Sequence, residues 1–160
     1  MLALDALPER GNYTLIVLLE SPSHIMIPSR GWFWLRKGYY VYTGSAVGRG
    51  AVSLRHRVAR HFGKKRTKHW HIDYLLACRK ARIVTAIACS STTSKECKIA
   101  KAIQSIRGAT VPIEGFGASD CRQNCKSHLA YFGEDDVHNA IVDAYRRLTG
   151  NVKTLRVAQT

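Results

Sequence analysis

The chain carries tyrosine, arginine and histidine side chains at positions suited to phosphodiester chemistry. Tyr13 and Tyr42 lie in two runs rich in apolar, β-branched and aromatic residues, and Tyr42 comes just before a glycine turn. Arg57 and His61 follow, four residues apart, so they share one stripe of a predicted amphipathic helix. A bidentate arginine can stabilise the charge that builds on non-bridging oxygens during phosphodiester cleavage. Tyrosine can act as a general base where nearby positive charge stabilises its phenolate.

The same four residues also have purely structural interpretations. Tyrosine favours strands, so Tyr13 and Tyr42 could be ordinary strand residues. Arg57 and His61 could belong to a solvated basic face that only contacts phosphates. Residue types and spacing alone leave the catalytic and structural interpretations open.

Glu96, one of eleven acidic residues, is a candidate ligand for a divalent cation. At helical spacing it lines up with Ala100 and Ile103 on an inward face. A single carboxylate that faces a cationic cleft can hold one Mg²⁺ or Mn²⁺ that keeps most of its waters. The alternative is a helix cap, because Thr93-Ser94-Lys95-Glu96 matches a capping box. Sequence alone leaves both roles open.

Two further stretches, 68–73 and 119–128, group histidine, cysteine and aspartate. The second offers Cys121, Cys125 and His128 at spacings a metal could use, but zinc needs four thiolate or imidazole ligands. The fourth would have to come from the first stretch, and no second cysteine pair is present, so structural zinc is not the expectation. We expect His69 or His71 to face the same cleft as Arg57. Five residues of these stretches could form a second part of the site, a proton relay or a buried polar cluster. They are His69, His71, Asp120, Cys121 and His128.

Net charge is the most unusual property of the composition. The 160 residues include 25 lysines and arginines against 11 acidic residues, a formal net charge of +14, which favours polyanionic partners. Nucleic acid is the first candidate, DNA before RNA, an anionic membrane surface is the second, and a basic surface kept for solubility is the structural alternative. The residues expected to contact the nucleic-acid backbone are Arg55, Arg60, Lys64, Lys65, Arg66 and Lys68.

The length of the chain limits the number of domains, and its cysteine content indicates the cellular compartment. A domain of about 100–200 residues is usual, so we expect one domain over residues 1–150. No apolar run approaches the about 20 residues that a membrane span needs, and the N-terminus lacks the pattern of a secretory signal. The five cysteines, an odd number, favour reduced thiols and a cytoplasmic location over a disulfide framework.

Hydrophobic periodicity predicts the elements that position these side chains. The predicted strands are 13–19, 39–42 and 82–89, with shorter ones at 24–27 and 128–132. The predicted helices are 54–62, 69–78, one that opens at Thr93, and one along 137–148 that stops at Gly150. Residues 151–160 are predicted to be a flexible tail. Strands followed by helices, with strands returning later, indicate an α+β domain with a small mixed sheet flanked by helices.

Several of these stretches resemble the GIY-YIG nuclease superfamily. Gly11-Asn12-Tyr13 looks like its first motif and Tyr42-Thr43-Gly44 like its second. Longer stretches resemble an uncharacterised branch of that superfamily, and they are Tyr39 to Ala46, Lys68 to Leu76, and Gly115 to Cys121 with Ser127-His128-Leu129. The resemblance runs from about Gly11 to Phe132.

Two features of the chain depart from the superfamily pattern. Asn12 stands where the superfamily usually has an apolar residue. Tyr13 and Tyr42 are 29 residues apart (42 − 13 = 29), longer than the common hairpin, so an insertion lies between them.

The resemblance implies a GIY-YIG-like fold and a single-metal nuclease. It implies that Tyr13 is the general base, that Tyr42 supports it by hydrogen bonding, that Arg57 stabilises the phosphate and that Glu96 holds Mg²⁺ or Mn²⁺, while His61 follows the helical arginine by four residues. The expected activity is metal-dependent endonucleolytic cleavage of DNA, with branched or damaged structures as candidate substrates. The alternative is a non-catalytic nucleic-acid-binding module, in which Trp32, Phe33 and Trp34 stack on single-stranded bases.

Overall fold

The computed structural model describes residues 3–63, 67–119 and 121–158. Within these ranges the chain forms seven strands and four α-helices. The strands are β1 (Gly11–Leu19), β2 (Ser23–Ile27), β3 (Gly31–Leu35), β4 (Gly38–Ala46), β5 (Ala81–Ser90), β6 (Leu129–Tyr131) and β7 (Lys153–Arg156). The helices are α1 (Leu54–Phe62), α2 (His71–Leu76), α3 (Glu96–Gln104) and α4 (His138–Thr149).

Five strands form the main sheet in the order β6-β4-β1-β5-β7, and β2 and β3 form a separate hairpin. Every pairing between the described strands is antiparallel. The predicted α+β class with helices flanking a small sheet is confirmed, but the described strands form an antiparallel sheet instead of the mixed one that was predicted. Strand β1 lies at the centre, so the start of the first motif is held between β4 and β5.

The main sheet separates two hydrophobic cores. Successive side chains of a strand point to opposite faces, so Tyr13, Leu15 and Val17 of β1 pack in one core and Ile16 packs in the other. The first core includes apolar residues of α1, α2 and the β2–β3 hairpin, and the second includes those of α3 and α4. The fold therefore has three layers, with helices on both faces of the sheet.

Residues 151–158 do not form the flexible tail that was predicted over 151–160. Gly150 ends α4 in the left-handed conformation, as predicted, and β7 then pairs with the outer edge of β5. Leu155 lies opposite Ala86 and is buried in the first core. A four-residue strand with one inward apolar residue is too short for its periodicity to stand out in sequence.

The β2–β3 hairpin accounts for the long separation between the two tyrosine motifs. Residues 31–35, which are not among the predicted strands, form strand β3. Trp32 and Trp34 point outward with 73% and 58% of their surface exposed. Phe33, on the opposite face, packs against the first core. The insertion is therefore an ordered hairpin with an exposed aromatic face.

Candidate functional site

One cleft of about 390 Å³ collects most of the predicted site residues. Its walls come from β1, β4, the helices α1 to α3, and the loop that precedes β6. The predicted site residues that line it are Tyr13, Tyr42, Arg57, His69, His71, Glu96, Cys121 and His128. Asp120 lies outside the residues that the structure describes.

Tyr13 and His61 form a buried hydrogen-bonded pair at the base of the cleft. The Tyr13 hydroxyl lies 2.8 Å from Nε2 of His61, and both side chains are almost completely buried. Burial, and then the neighbouring Tyr42, raise the pKa of Tyr13 well above its ordinary value. The phenol therefore stays protonated at neutral pH, and it can give up its proton only as His61 or another group accepts it.

Gly44 makes room for the Tyr13 ring. The two residues are paired opposite each other on β1 and β4. A Cβ on Gly44 would lie 2.8 Å from the Tyr13 hydroxyl and 2.9 Å from Cζ. A side chain at this position would displace the ring, so the close approach of Tyr13 requires glycine here.

Tyr42 lies beside this pair on the same face of the sheet. Its ring centroid is 6.4 Å from that of Tyr13 and 6.2 Å from that of Phe116, both in edge-on arrangements. Burial, and then the negative charge of Glu96, raise the pKa of Tyr42. Tyr42 is therefore a neutral hydroxyl at the edge of the cleft, suited to hydrogen bonding.

Arg57 is held at the mouth of the cleft by two contacts. Its Nη1 donates to the carbonyl oxygen of Ser45 at 2.6 Å, and its guanidinium carbon lies 4.8 Å from the centroid of the Trp70 ring. Helix α1, which carries it, begins after Ser53, whose hydroxyl accepts from the amide of His56. Stacking on an aromatic ring fixes a guanidinium while leaving donors at its edge for an anion.

Arg60 and Arg55, predicted to contact nucleic acid, both bind groups of the protein. Arg60 donates through both terminal nitrogens to the carboxylate of buried Asp73, at 3.0 and 3.1 Å. Arg55 donates to the carbonyl oxygen of Leu7 and lies 3.6 Å from Glu9. A contact of either arginine with nucleic acid stays a prediction.

Lys68 is the remaining predicted nucleic-acid contact that the structure describes. Lys68 is exposed, with its ammonium 5.5 Å from the centroid of the Tyr74 ring. The predicted contacts Lys64, Lys65 and Arg66 lie outside the described residues.

Asp73 is a structural residue that pattern reasoning missed. Besides Arg60, its carboxylate accepts from the backbone amides of His69 and Trp70 at 2.8 and 2.9 Å. Burial alone would raise the pKa of Asp73, but the hydrogen bonds from Arg60, His69 and Trp70 outweigh burial and hold its pKa below the ordinary value. This network fixes the start of α2, and with it the Trp70 ring under Arg57.

Glu96 is the first residue of α3 and projects toward the cleft. Its side chain is 32% exposed, and Oε2 lies 4.0 Å from Nδ1 of His128. Burial raises the pKa of Glu96, and the nearby charge of Arg57 opposes that shift. The predicted alternative, a capping box, does not form because the helix begins at Glu96 rather than near Thr93.

Asn12 contacts the segment just before α3, where the capping box was predicted. Its Oδ1 accepts from the amide of Lys95 at 2.8 Å, and its Nδ2 donates to the carbonyl oxygen of Thr93 at 3.3 Å. Asn12 is fully buried, and it follows Gly11 on the central strand. The departure from the superfamily pattern at Asn12 therefore ties β1 directly to the start of the helix that carries Glu96.

Replacing Asn12 with alanine is expected to destabilise the protein by about 1–3 kcal/mol, because a fully buried side chain loses its two hydrogen bonds to the backbone of Lys95 and Thr93. Urea unfolding measures the loss. Asn139→Ala, on an exposed face of α4, is the matched control, and equal behaviour of the two variants would contradict the anchoring role.

The structure places both His69 and His71 along the cleft with Arg57. Nδ1 of His71 accepts from the amide of Gly117 at 2.9 Å. Burial, and then the charge of Arg30, lower the pKa of His71. His71 is thus a neutral imidazole that holds the loop before β6 against α2, while His69 is exposed.

Three thiols and one imidazole meet beside Glu96. The donor atoms of Cys97, Cys121, Cys125 and His128 all lie within 4.8 Å of one another, so this group could hold a metal ion. The expectation that a fourth donor would come from 68–73 was wrong, because it is Cys97 of α3. Cys97 shows no spacing relation to the other three residues in sequence, so no local pattern could have identified it.

The thiols of this cluster are not equivalent. Burial raises the pKa of Cys97. Burial would also raise the pKa of Cys121, but hydrogen bonds from the backbone amides of Cys125 and Gln123 outweigh it and, with the adjacent thiols, lower its pKa to about 7. Cys121 is therefore the thiol of the cluster that ionises most readily.

Comparison with known proteins yields one match. The family model for DUF123, a domain of unknown function, matches residues 12–150. No curated protein and no solved structure matches the chain significantly. Within the described residues, no helix has both the length and the apolar character needed to cross a membrane.

Proposed function

The chain belongs to the DUF123 family, a domain of unknown function, and for this member we propose a metal-dependent endonuclease that hydrolyses DNA phosphodiester bonds. One observation carries the proposal. Arg57, Glu96 and the Tyr13–His61 pair, which come from three separate elements, meet around one cleft. This set provides a guanidinium for the phosphate, a carboxylate for a cation and a route for a proton.

Arg57 is the group proposed to bind the scissile phosphate. Its contacts with Ser45 and Trp70 hold the guanidinium in place before substrate arrives. Donors that are already oriented stabilise developing charge without reorganising during the reaction. A phosphate at the mouth of the cleft would therefore meet a fixed arginine.

Glu96 is the residue proposed to hold Mg²⁺ or Mn²⁺. Its carboxylate lines the cleft, where Oε2 lies 4.0 Å from Nδ1 of His128 and the positive charge of Arg57 is nearby. A single carboxylate with open space for water fits a Mg²⁺ site, which usually keeps several waters. The ion would supply Lewis-acid stabilisation of the phosphate oxygens.

Tyr13 and His61 are the groups proposed to move the proton of the attacking water. The water gives its proton to the Tyr13 hydroxyl oxygen as that hydroxyl passes its own proton to Nε2 of His61, 2.8 Å away. Because burial keeps the Tyr13 phenol protonated, this shared transfer fits the site better than a preformed phenolate. Tyr42 lies close enough to help orient the groups around Tyr13.

The net charge of +14 supports a nucleic-acid substrate held through its backbone. Affinity should fall steeply with salt, and little in the chain favours base-specific readout. The proposed substrates are branched or damaged DNA, which would give the protein a role in repair. A cytoplasmic location completes the proposal and rests on the five free thiols, which suit a reducing compartment.

The decisive experiment compares cleavage of supercoiled plasmid and of labelled branched DNA with Mg²⁺ or Mn²⁺. Glu96→Gln and Arg57→Ala should each lower the rate by about 10²-fold or more, since each loses charge stabilisation. Glu134→Gln and Arg146→Ala, exposed and away from the cleft, are matched controls that should cleave as wild type does. No metal-dependent cutting by the wild type on any substrate would overturn the proposal.

The exposed hairpin face favours a second candidate function, a non-catalytic nucleic-acid-binding module. Trp32 and Trp34 lie side by side on β3 and are largely exposed, and base–aromatic stacking contributes about 1–3 kcal/mol per base. Salt-sensitive binding without cleavage, weakened by Trp32→Ala and Trp34→Ala but not by Glu96→Gln, would select this function.

A further inference from the structure

We propose that Cys97, Cys121, Cys125 and His128 bind one structural zinc ion beside the cleft. Zinc in structural sites takes four protein ligands in a tetrahedron, and three cysteines with one histidine is one of its usual sets. All four residues belong to the described part of the chain. Cys97 lies on α3, Cys121 and Cys125 lie on the loop before β6, and His128 immediately precedes β6. The site is separate from the proposed Mg²⁺ or Mn²⁺ site at Glu96.

The distances within the cluster suit zinc. With Zn–S bonds of about 2.3 Å, a tetrahedron places its sulfur atoms about 3.8 Å apart. Sγ of Cys97 lies 3.3 Å from Sγ of Cys121 and 3.6 Å from Nε2 of His128. All four donor atoms lie within 4.8 Å of one another. The donors therefore surround a space of the correct size.

A disulfide explains the cluster less well. The Cys97–Cys121 sulfur separation of 3.3 Å is far longer than a disulfide bond of about 2.05 Å. A disulfide would also use two of three thiols and leave the third beside an imidazole with no role. Zinc uses all four donors at once.

The backbone around Cys121 supports a bound thiolate. The amide of Gln123 donates to Sγ of Cys121 at 3.4 Å, and Asn124 adopts a positive φ of 57° as the chain turns back toward Cys125. Amides that point at sulfur stabilise its anionic form, which is the form that binds metal.

Zinc would also explain how the loop before β6 keeps its shape. Between α3 and β6 the described residues form no helix and no strand longer than an isolated bridge. This segment nevertheless supplies Gly117, Ser119 and Cys121 to the cleft. If Cys121, Cys125 and His128 bound the same zinc ion as Cys97, the ion would attach this loop to the first turn of α3.

His128 connects the proposed zinc site to Glu96. Its Nε2 faces the thiols, and its Nδ1 lies 4.0 Å from Oε2 of Glu96. A metal on one ring nitrogen leaves the proton on the other, so Nδ1–H would face the Glu96 carboxylate. Nδ1 of His128 is buried, and at 4.0 Å it lies too far from Oε2 of Glu96 for a direct hydrogen bond. The zinc site would therefore border the proposed Mg²⁺ or Mn²⁺ site without sharing a ligand with it.

The test is the metal content of protein purified without a metal-affinity tag. Wild type should hold about one zinc per chain. Cys97→Ser and Cys121→Ser should lose most of it, while Cys78→Ser, whose thiol lies outside the cluster, should keep it. Removal of zinc should lower the melting temperature by more than about 5 °C, since metal binding contributes directly to folding.

Cobalt substitution keeps the test valid if the serine variants fail to fold. Wild-type protein reconstituted with Co²⁺ should show the absorption bands of a tetrahedral cobalt–thiolate site. Protein with no zinc, with no such bands, or with a mass that shows a disulfide would overturn the proposal. These measurements contain no DNA, so their outcome is independent of whether the protein is a nuclease.

Discussion

Replacing Tyr13 with phenylalanine is expected to lower the rate of DNA cleavage by about 10²–10⁴-fold, the range that positioned proton transfer contributes. The change removes only the hydroxyl that lies 2.8 Å from Nε2 of His61. The ring itself can stay in the space that Gly44 leaves for it. Single-turnover nicking of supercoiled plasmid with Mg²⁺ or Mn²⁺ would measure the rate.

Tyr40→Phe is the matched control for this experiment. Tyr40 is as deeply buried as Tyr13, and its hydroxyl donates one hydrogen bond, to the carbonyl oxygen of Arg36 at 2.7 Å. Each variant loses one hydrogen bond, so both should lose about 1 kcal/mol of stability. If Tyr13→Phe cleaved as fast as Tyr40→Phe, Tyr13 would have no part in proton transfer.

Replacing Gly11 with alanine is expected to destabilise the fold by more than about 4 kcal/mol, among the largest effects of a single substitution. Gly11 has a φ of +155°, and a Cβ there would lie 1.8 Å from the carbonyl oxygen of Cys89. That atom belongs to the backbone of β5, which pairs with β1 along its whole length. The clash can be relieved only by separating two central strands. Urea denaturation followed by circular dichroism would measure the loss.

Gly150→Ala separates backbone strain from the steric clash. Gly150 also has a positive φ, +72°, but a Cβ there would meet no atom within 4 Å. Its substitution should therefore cost only the about 1–2 kcal/mol of left-handed conformation. A Gly11→Ala variant no less stable than Gly150→Ala would show that β1 and β5 can move apart at little cost.

The parts of the site that could be predicted from sequence are those that depend on local periodicity. Helix α1 forms where Leu54 and Val58 define an apolar stripe, and this stripe directs Arg57 to the neighbouring face. Tyr13 of β1 and Tyr42 of β4 reach the same core, as the alternation of side chains along a strand predicts. Their placement requires no knowledge of distant contacts.

The parts that could not be predicted depend on residues far apart in the chain. The spacing of residues 93–96 predicts a capping box, but α3 begins at Glu96, and Asn12, 83 positions before Lys95, accepts from the Lys95 amide. Cys97 joins Cys121 and His128 across separations of 24 and 31 positions. In both cases a tertiary contact outweighs the local pattern, and no spacing rule encodes it.

The order of strands in the sheet has a consequence for biosynthesis. Strands β1, β4 and β5 are all translated before residue 91, whereas the strands that cover the outer edges of β4 and β5 are β6 and β7, which lie after residue 128. A nascent chain on the ribosome therefore exposes two unpaired sheet edges for much of its synthesis, and such edges promote aggregation. His128, which completes the cleft wall, immediately precedes β6. The sheet edges are therefore covered, and the cleft is completed, only after residue 128 has been translated.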